Sequence, residues 1–192
     1  MSIFSNLAAS AWNTVGKIIS LFGKLSDARR RKIKQDKERI IDLSLKQNRL
    51  PQSFPEYEII EKEEEKINKL KKLYENIPRG YNPNYYFTAL TSVLSSMNRT
   101  AESFQLNQIY TFKYIAKTPE WYDLNPVIIV TNISGSHFEG VNFHWRDAPS
   151  YVESPFRKYR FDRVQSKFYK IMPDELEYVL KIPTFYPIKI PK

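Results

Sequence analysis

Ile109-Tyr-Thr-Phe-Lys-Tyr114, Val127-Ile-Ile-Val-Thr131 and Phe138-Glu-Gly-Val-Asn-Phe-His-Trp145 decide the fold class of this chain. Each stretch is dense in β-branched and aromatic residues, the side chains that suit a pleated and partly buried surface. Ser134-Gly135-Ser136 lies between the last two and predicts a tight hairpin. Further strands are expected at Lys167–Ile171 and Pro187–Ile190, with a short helix over Asp174–Leu180 between them. Three antiparallel strands, a fourth strand, a helical turn and a terminal strand together suggest a small barrel of SH3-like type over residues 105–192. Phe112, Ile129 and Phe143, one from each of the first three strands, are its expected inward-facing core.

Upstream the periodicity changes from strand to helix. Residues 2–24 place Ile3, Phe4, Leu7, Ala11, Val15, Ile18 and Phe22 at steps of three and four, an apolar helical face widened by Trp12. At Asp27 the composition switches to Arg29-Arg30-Arg31-Lys32-Ile33-Lys34, and helix formers continue to Gln47. That second stretch carries too few apolar residues to fold unaided, so residues 1–50 are expected to be poorly ordered in the isolated chain. Pro51 and Pro55 break it. Ser53 and Glu56 have the spacing of a capping box ahead of a second helix ending near Asn76, with Tyr57, Ile60, Ile67, Leu70, Tyr74 and Ile77 as its seam. A short helix follows over residues 87–97. The chain therefore reads as α+β: a basic helical arm (1–50), a helical linker region (51–104) and the β domain (105–192).

Thirteen Tyr and twelve Phe can supply a core, whereas five Gly leave little room for phosphate-cradling loops. The net charge of +9 is concentrated at the start, because residues 1–50 hold eleven Lys/Arg against four Asp/Glu. Such a segment attracts nucleic acid, anionic lipid or an acidic protein surface. The absence of cysteine rules out disulfides and thiolate metal sites. No apolar run reaches the roughly 20 residues of a membrane span, and the first residues lack the pattern of a secretory signal, so secretion is not expected.

Catalytic chemistry has little to stand on. His137 and His144 are seven residues apart on one expected strand, an odd spacing that places them on opposite faces and makes joint metal ligation poor. Asp174, Glu175 and Glu177 read as the acidic first turn of a helix, and Glu120 and Asp123 flank Trp121-Tyr122 with no sign of a cleft. No catalytic residue, cofactor, metal site or small-molecule substrate is expected. Arg157, Lys158, Arg160, Arg163, Lys167 and Lys170 interleave with Tyr159, Phe161, Phe168 and Tyr169, as candidate nucleic-acid contacts do. Their competing reading is a solvated outer face with the rings turned inward, and it is the stronger of the two.

Tyr110-x-Phe112-x-Tyr114, Trp121-Tyr122-Asp123-x-x-Pro126-Val127 and Phe138-x-Gly140-Val141-Asn142-Phe143-His144 together resemble a small protein family of T4-like and marine tailed bacteriophages. Ser166-Lys167-Phe168-x-Lys170-Ile171 and Leu180-x-x-Pro183 extend the resemblance over roughly residues 105–190. One departure is Ser134-Gly135-Ser136-His137, where the family more often has a charged turn. The resemblance implies a virion or assembly role and supplies no catalytic residues. The expected function is thus a structural protein of the virion, present in the host cytoplasm during assembly, with other virion proteins as partners. Ile3, Phe4, Leu7, Trp12, Ile18 and Phe22 would form an apolar anchor, and Arg29, Arg30, Arg31 and Lys32 an electrostatic clamp. Nucleic-acid binding through the two basic stretches is the alternative, and peripheral membrane binding by residues 2–24 the third.

Overall fold

The computed structural model describes residues 3–115, 123–145 and 156–185, and the side chains of 3–15, Ile18 and Ile19 lie outside that description. Helix α1 is continuous over Ile3–Gln47, where the sequence suggested a change of element at Asp27. Composition shifts there, but no Pro or Gly occurs from Lys24 to Gln47, so nothing in the backbone stops the helix. It ends in a left-handed cap. Asn48 has φ 50, with Arg49 N donating to Ser44 O and Asn48 N to Leu45 O, the bonding that satisfies orphan carbonyls at a helix C-terminus.

A 3-10 turn at Pro51–Ser53 reverses the chain into α2, Pro55–Asn76. The capping box expected from Ser53 and Glu56 does not form. Ser53 Oγ is already committed to Leu50 O within the turn, Phe54 is the N-cap, and Pro55 at the first helical position has no N–H to cap. Ile40, Tyr57 and Ile60 are buried where α1 meets α2, flanked by Ile33 and Phe54. Helix α3, Pro83–Ser96, starts on Asn82, whose side chain accepts from Tyr85 N.

Six antiparallel strands follow: β1 (Thr100–Ala101), β2 (Ile109–Thr111), β3 (Val127–Ser134), β4 (His137–Asn142), β5 (Phe156–Arg160) and β6 (Phe168–Ile171). Helix α4, Leu176–Lys181, comes last. The sheet order is β1-β6-β2-β3-β4-β5. This is the α+β class expected, but no ladder joins the end strands β1 and β5 among the described residues, so the sheet is not closed as the expected SH3-like barrel would be. The expected strand at 187–190 lies outside the described residues. The hairpin is as read: Ser134 pairs with His137 across Gly135 and Ser136, with Gly135 at φ 54.

Strand alternation divides the apolar residues between two faces. Ile109, Val127, Ile129, Val141 and Ile171 join Leu70 of α2, Leu90 and Leu94 of α3 and Val179 of α4 in one cluster, so the helices of 51–104 share a core with the sheet. Tyr110, Phe112, Tyr114, Ile128, Val130, Phe138 and Tyr159 form a second, aromatic cluster on the other face. Phe104 is its hub, with ring centroids 4.7 Å from Tyr110, 4.7 Å from Phe138 and 4.4 Å from Phe168. The expected trio Phe112, Ile129 and Phe143 is therefore split. Ile129 pairs with Ile109, an odd step from Phe112 and hence on the opposite face, and Phe143 sits beyond β4 in a 3-10 turn on the helix side.

Candidate functional site

Helix α1 spans about 67 Å and α2 about 33 Å at 1.5 Å per residue, so the partner helix covers half of α1 at most. Among side chains described near the N-terminal end, Phe22 is half-buried and packs on the helix-side core. Its ring meets Phe143 edge-on, centroids 6.3 Å apart. Around it Gly16, Lys17, Ser20, Gly23 and Lys24 are exposed, as are Leu21 and Leu25 at 54% and 47%. The remaining anchor residues of the sequence reading, Ile3, Phe4, Leu7, Trp12 and Ile18, lie outside the described side chains.

About two turns beyond Phe22, the basic run divides between the interior and solvent. Arg29 donates to Asp174 Oδ1 at 3.2 Å and pairs with Glu63 of α2. Arg30 donates to Asp174 O and to Glu177, at 3.3 and 3.2 Å, and stands over the Tyr178 ring. These two guanidinium groups join α1 to α2 and α4 and are engaged within the chain. Arg31 and Lys32 face solvent and make no ion pair among the described residues. Carboxylate chemistry at the junction matches the geometry. The hydrogen bond from Lys181, then the one from Arg30, holds the Glu177 carboxyl below its ordinary value against the opposing effect of burial. Burial pushes Glu63 the other way, but Lys66, Arg29 and Arg99 outweigh it and lower that carboxyl too. The acidic turn expected at Asp174, Glu175 and Glu177 is thus the receiving half of the junction, with Arg99 also on Glu175 at 2.9 Å through Nε.

A second polar cluster lies beneath the sheet's end. His144 Nδ1 is 2.5 Å from Asp123 Oδ2, with the two side chains 5% and 0% exposed. Asp123 also accepts from Asn142 Nδ2 at 3.3 Å and Asn125 N at 3.0 Å. On its far side His144 Nε2 is 3.4 Å from Thr184 Oγ1, and Asn125 Nδ2 donates to Thr184 O at 3.1 Å. Hydroxyl, imidazole and carboxylate stand in the order of an acyl-transfer triad. Thr184, however, is fully buried, so its hydroxyl faces protein rather than a substrate. What the cluster does is fasten the segment after α4 onto the sheet. The sequence reading weighed Asp123 and His144 separately. Polar Asn142 and His144, interrupting an apolar strand, were the available signal. His137 stands apart at the hairpin, its Nδ1 3.0 Å from Ser136 Oγ.

The basic stretch 157–170 takes the solvated-face reading. Tyr159, Phe161 and Phe168 enter the aromatic core, and Tyr169 packs on the helix-side core. The sequence reading missed that Phe156–Arg160 is strand β5. Arg157 lies 3.8 Å above the Trp145 ring, and Arg160 grips Asp162 at 2.8 and 2.6 Å. Lys158 and Lys167 are exposed, while Arg163 and Lys170 are half-buried. The rings that would stack on bases are therefore withdrawn from this face.

Among the described residues no group of three or more His, Asp or Glu could hold a metal ion, and no helix is long and apolar enough to cross a membrane. No family model, curated protein or solved structure matches the chain.

Proposed function

We propose that this chain is a structural or assembly protein of a tailed-phage virion, docking between neighbouring subunits through its N-terminal helical arm. The observation that carries the reading is the length of α1 against that of α2, which packs on its C-terminal half. About 29 Å of helix precedes Phe22, and the described side chains flanking that residue are exposed. An amphipathic helix gains little stability from propensity alone and depends on a surface that accepts its apolar face. The stripe from Ile3 to Phe22 has the spacing to meet such a surface. The phage context rests on the sequence resemblance in the β domain. There, the order β6-β2-β3-β4-β5 with a 3-10 turn at Phe161–Arg163 before β6 supports a partly open SH3-like barrel as the second contact surface. The test is mass spectrometry of purified particles: the chain recovered at a fixed stoichiometry supports the reading, and its absence from complete particles ends it.

A nucleic-acid role for the arm has one observation in its favour, that Arg31 and Lys32 are exposed and make no ion pair among the described residues. Arg29 and Arg30, engaged with Asp174, Glu63 and Glu177, are not available to phosphates without dismantling the junction.

A further inference from the structure

The cations and exposed rings sought along 157–170 occur together elsewhere, in a groove at the end of α2. This open groove of about 640 Å³ is walled by Tyr74, Arg79, Tyr81, Tyr86, Lys181 and Phe185, among others. Tyr81 and Tyr85 stack with ring centroids 4.4 Å apart and planes 25° apart. Both are well exposed, as is Tyr74: 54% for Tyr81, and 42% each for Tyr85 and Tyr74. The loop that carries Tyr81 is bonded to α3. Tyr86 Oη donates to Pro78 O at 2.9 Å and accepts from Tyr81 N at 3.1 Å, and Gly80 takes φ +90, where a side chain would be strained. The Tyr81–Tyr85 stack thus offers an exposed aromatic platform, with the exposed Tyr74 ring on the wall of the same groove.

Charge decides among the ligands that such a platform could take. Arg79 is exposed and makes no ion pair among the described residues. The Lys181 ammonium stands 5.7 Å from the Tyr74 ring centroid with Glu177 at 2.7 Å. Among the described residues the one acidic lining residue is Glu75, with Lys71 3.9 Å away. An unopposed guanidinium beside exposed rings repels a cationic ligand and suits an anion that carries flat π-faces. We infer that this groove binds single-stranded nucleic acid, a base extending the Tyr81–Tyr85 stack while Arg79 meets the adjoining phosphate. The site is separate from the arm, and the inference does not depend on the assembly reading.

The test uses the full chain and a fluorescein-labelled twelve-nucleotide oligothymidylate, read by anisotropy across a salt series. Tyr81→Ala is expected to weaken binding roughly 5- to 150-fold, the loss of one stacked base, while Tyr81→Phe stays close to wild type. Arg79→Gln should flatten the log–log salt dependence by about 0.7, one single-strand phosphate contact. Both positions are exposed, and circular dichroism confirms that each variant is folded. Equal binding by wild type and Tyr81→Ala would place the contact on another basic surface and overturn the proposal. So would tighter binding to a duplex of the same length, or capture of a proline-rich peptide in place of the oligonucleotide.

Discussion

The ring of Phe22 meets the ring of Phe143 edge-on, at 6.3 Å and 84°, and that contact packs the long helix α1 on the helix-side core at the 3-10 turn after β4. Phe143 is buried in the helix-side core, whereas Phe22 is half-buried at its rim. Emptying the Phe143 site should cost about 3–5 kcal/mol, the range for a buried aromatic. Phe22→Ala should cost less, since solvent already reaches that ring. In a double-mutant cycle by chemical denaturation the pair should couple by about 0.5–1.5 kcal/mol. Strict additivity would mean that α1 does not rest on Phe143 in solution.

Neighbouring arginines should differ sharply in their effects on stability. Asp174 has a side chain only 3% exposed, and Arg29 is its ion-pair partner among the described residues. Arg29→Met leaves that carboxylate buried and short of its charged donor, at about 1–3 kcal/mol. Arg31→Met removes an exposed guanidinium that donates to Asp27 O at 3.3 Å on its own helix, and should change stability by under about 0.5 kcal/mol. Thermal melts of the two variants side by side check the contrast.

Acid should loosen the same junction. Glu63 and Glu177 are held below the ordinary carboxylate value of 4.5, so the unfolded chain binds more protons than the native one in that range. Their contribution is complete above 4.5 and is lost as pH falls through the lowered native values. Both carboxyls are partly exposed and screened, so the effect is a gradual one. Melts followed from neutral pH to about pH 3 should show it, and Glu177→Gln should blunt it. An unchanged profile in that variant would remove Glu177 from the account.

Gly140 tests the sheet. A Cβ there would stand 2.5 Å from Ile129 O, and that oxygen belongs to the backbone of the adjacent strand β3, which cannot step aside alone. Gly140→Ala should therefore cost about 1–3 kcal/mol, although alanine is otherwise the mildest replacement. A stability equal to wild type by denaturant titration would show that β3 and β4 pair more loosely there.

Much of this architecture was legible because alternation is local. Ile109 and Tyr110, or Ile128 and Ile129, announce opposite faces by adjacency alone, and the Ser134–His137 turn by its glycine. Strand β5 was hidden because Phe-Arg-Lys-Tyr-Arg presents charge at three of five positions, the composition of an edge strand guarded against pairing. Asp27 looked like a boundary because charge density jumps there, yet helix continuity depends on backbone-compatible residues, which run unbroken. The junction was beyond reach for a different reason. Arg29 and Asp174 are 145 positions apart, and nothing local to a basic run says whether its partner is solvent, another molecule or the same chain. The buried Asp123–His144 pair likewise joins residues that were weighed singly because 21 positions separate them.

The engagement of Arg29 and Arg30 changes how the arm must be tested. Reversing Arg29, Arg30 and Arg31 together to Glu would set like charges against Asp174, Glu63 and Glu177, and any loss of function would then report a broken fold. Reversal confined to Arg31 and Lys32, both exposed, leaves the junction intact. An arm that docks on neighbouring subunits should tolerate that reversal better than the loss of its apolar stripe. Trp12→Ala should then deplete the protein from particles several-fold, and Arg31→Glu with Lys32→Glu should do so less. An arm that binds duplex nucleic acid should behave in the opposite way, losing about 0.9 in log–log salt slope for each phosphate contact removed and ignoring Trp12→Ala. The apolar spacing from Ile3 to Phe22 favours the first pattern, because a phosphate contact has no use for an apolar face. Normal particle content of Trp12→Ala, with the charge-reversed variant missing, would decide against docking.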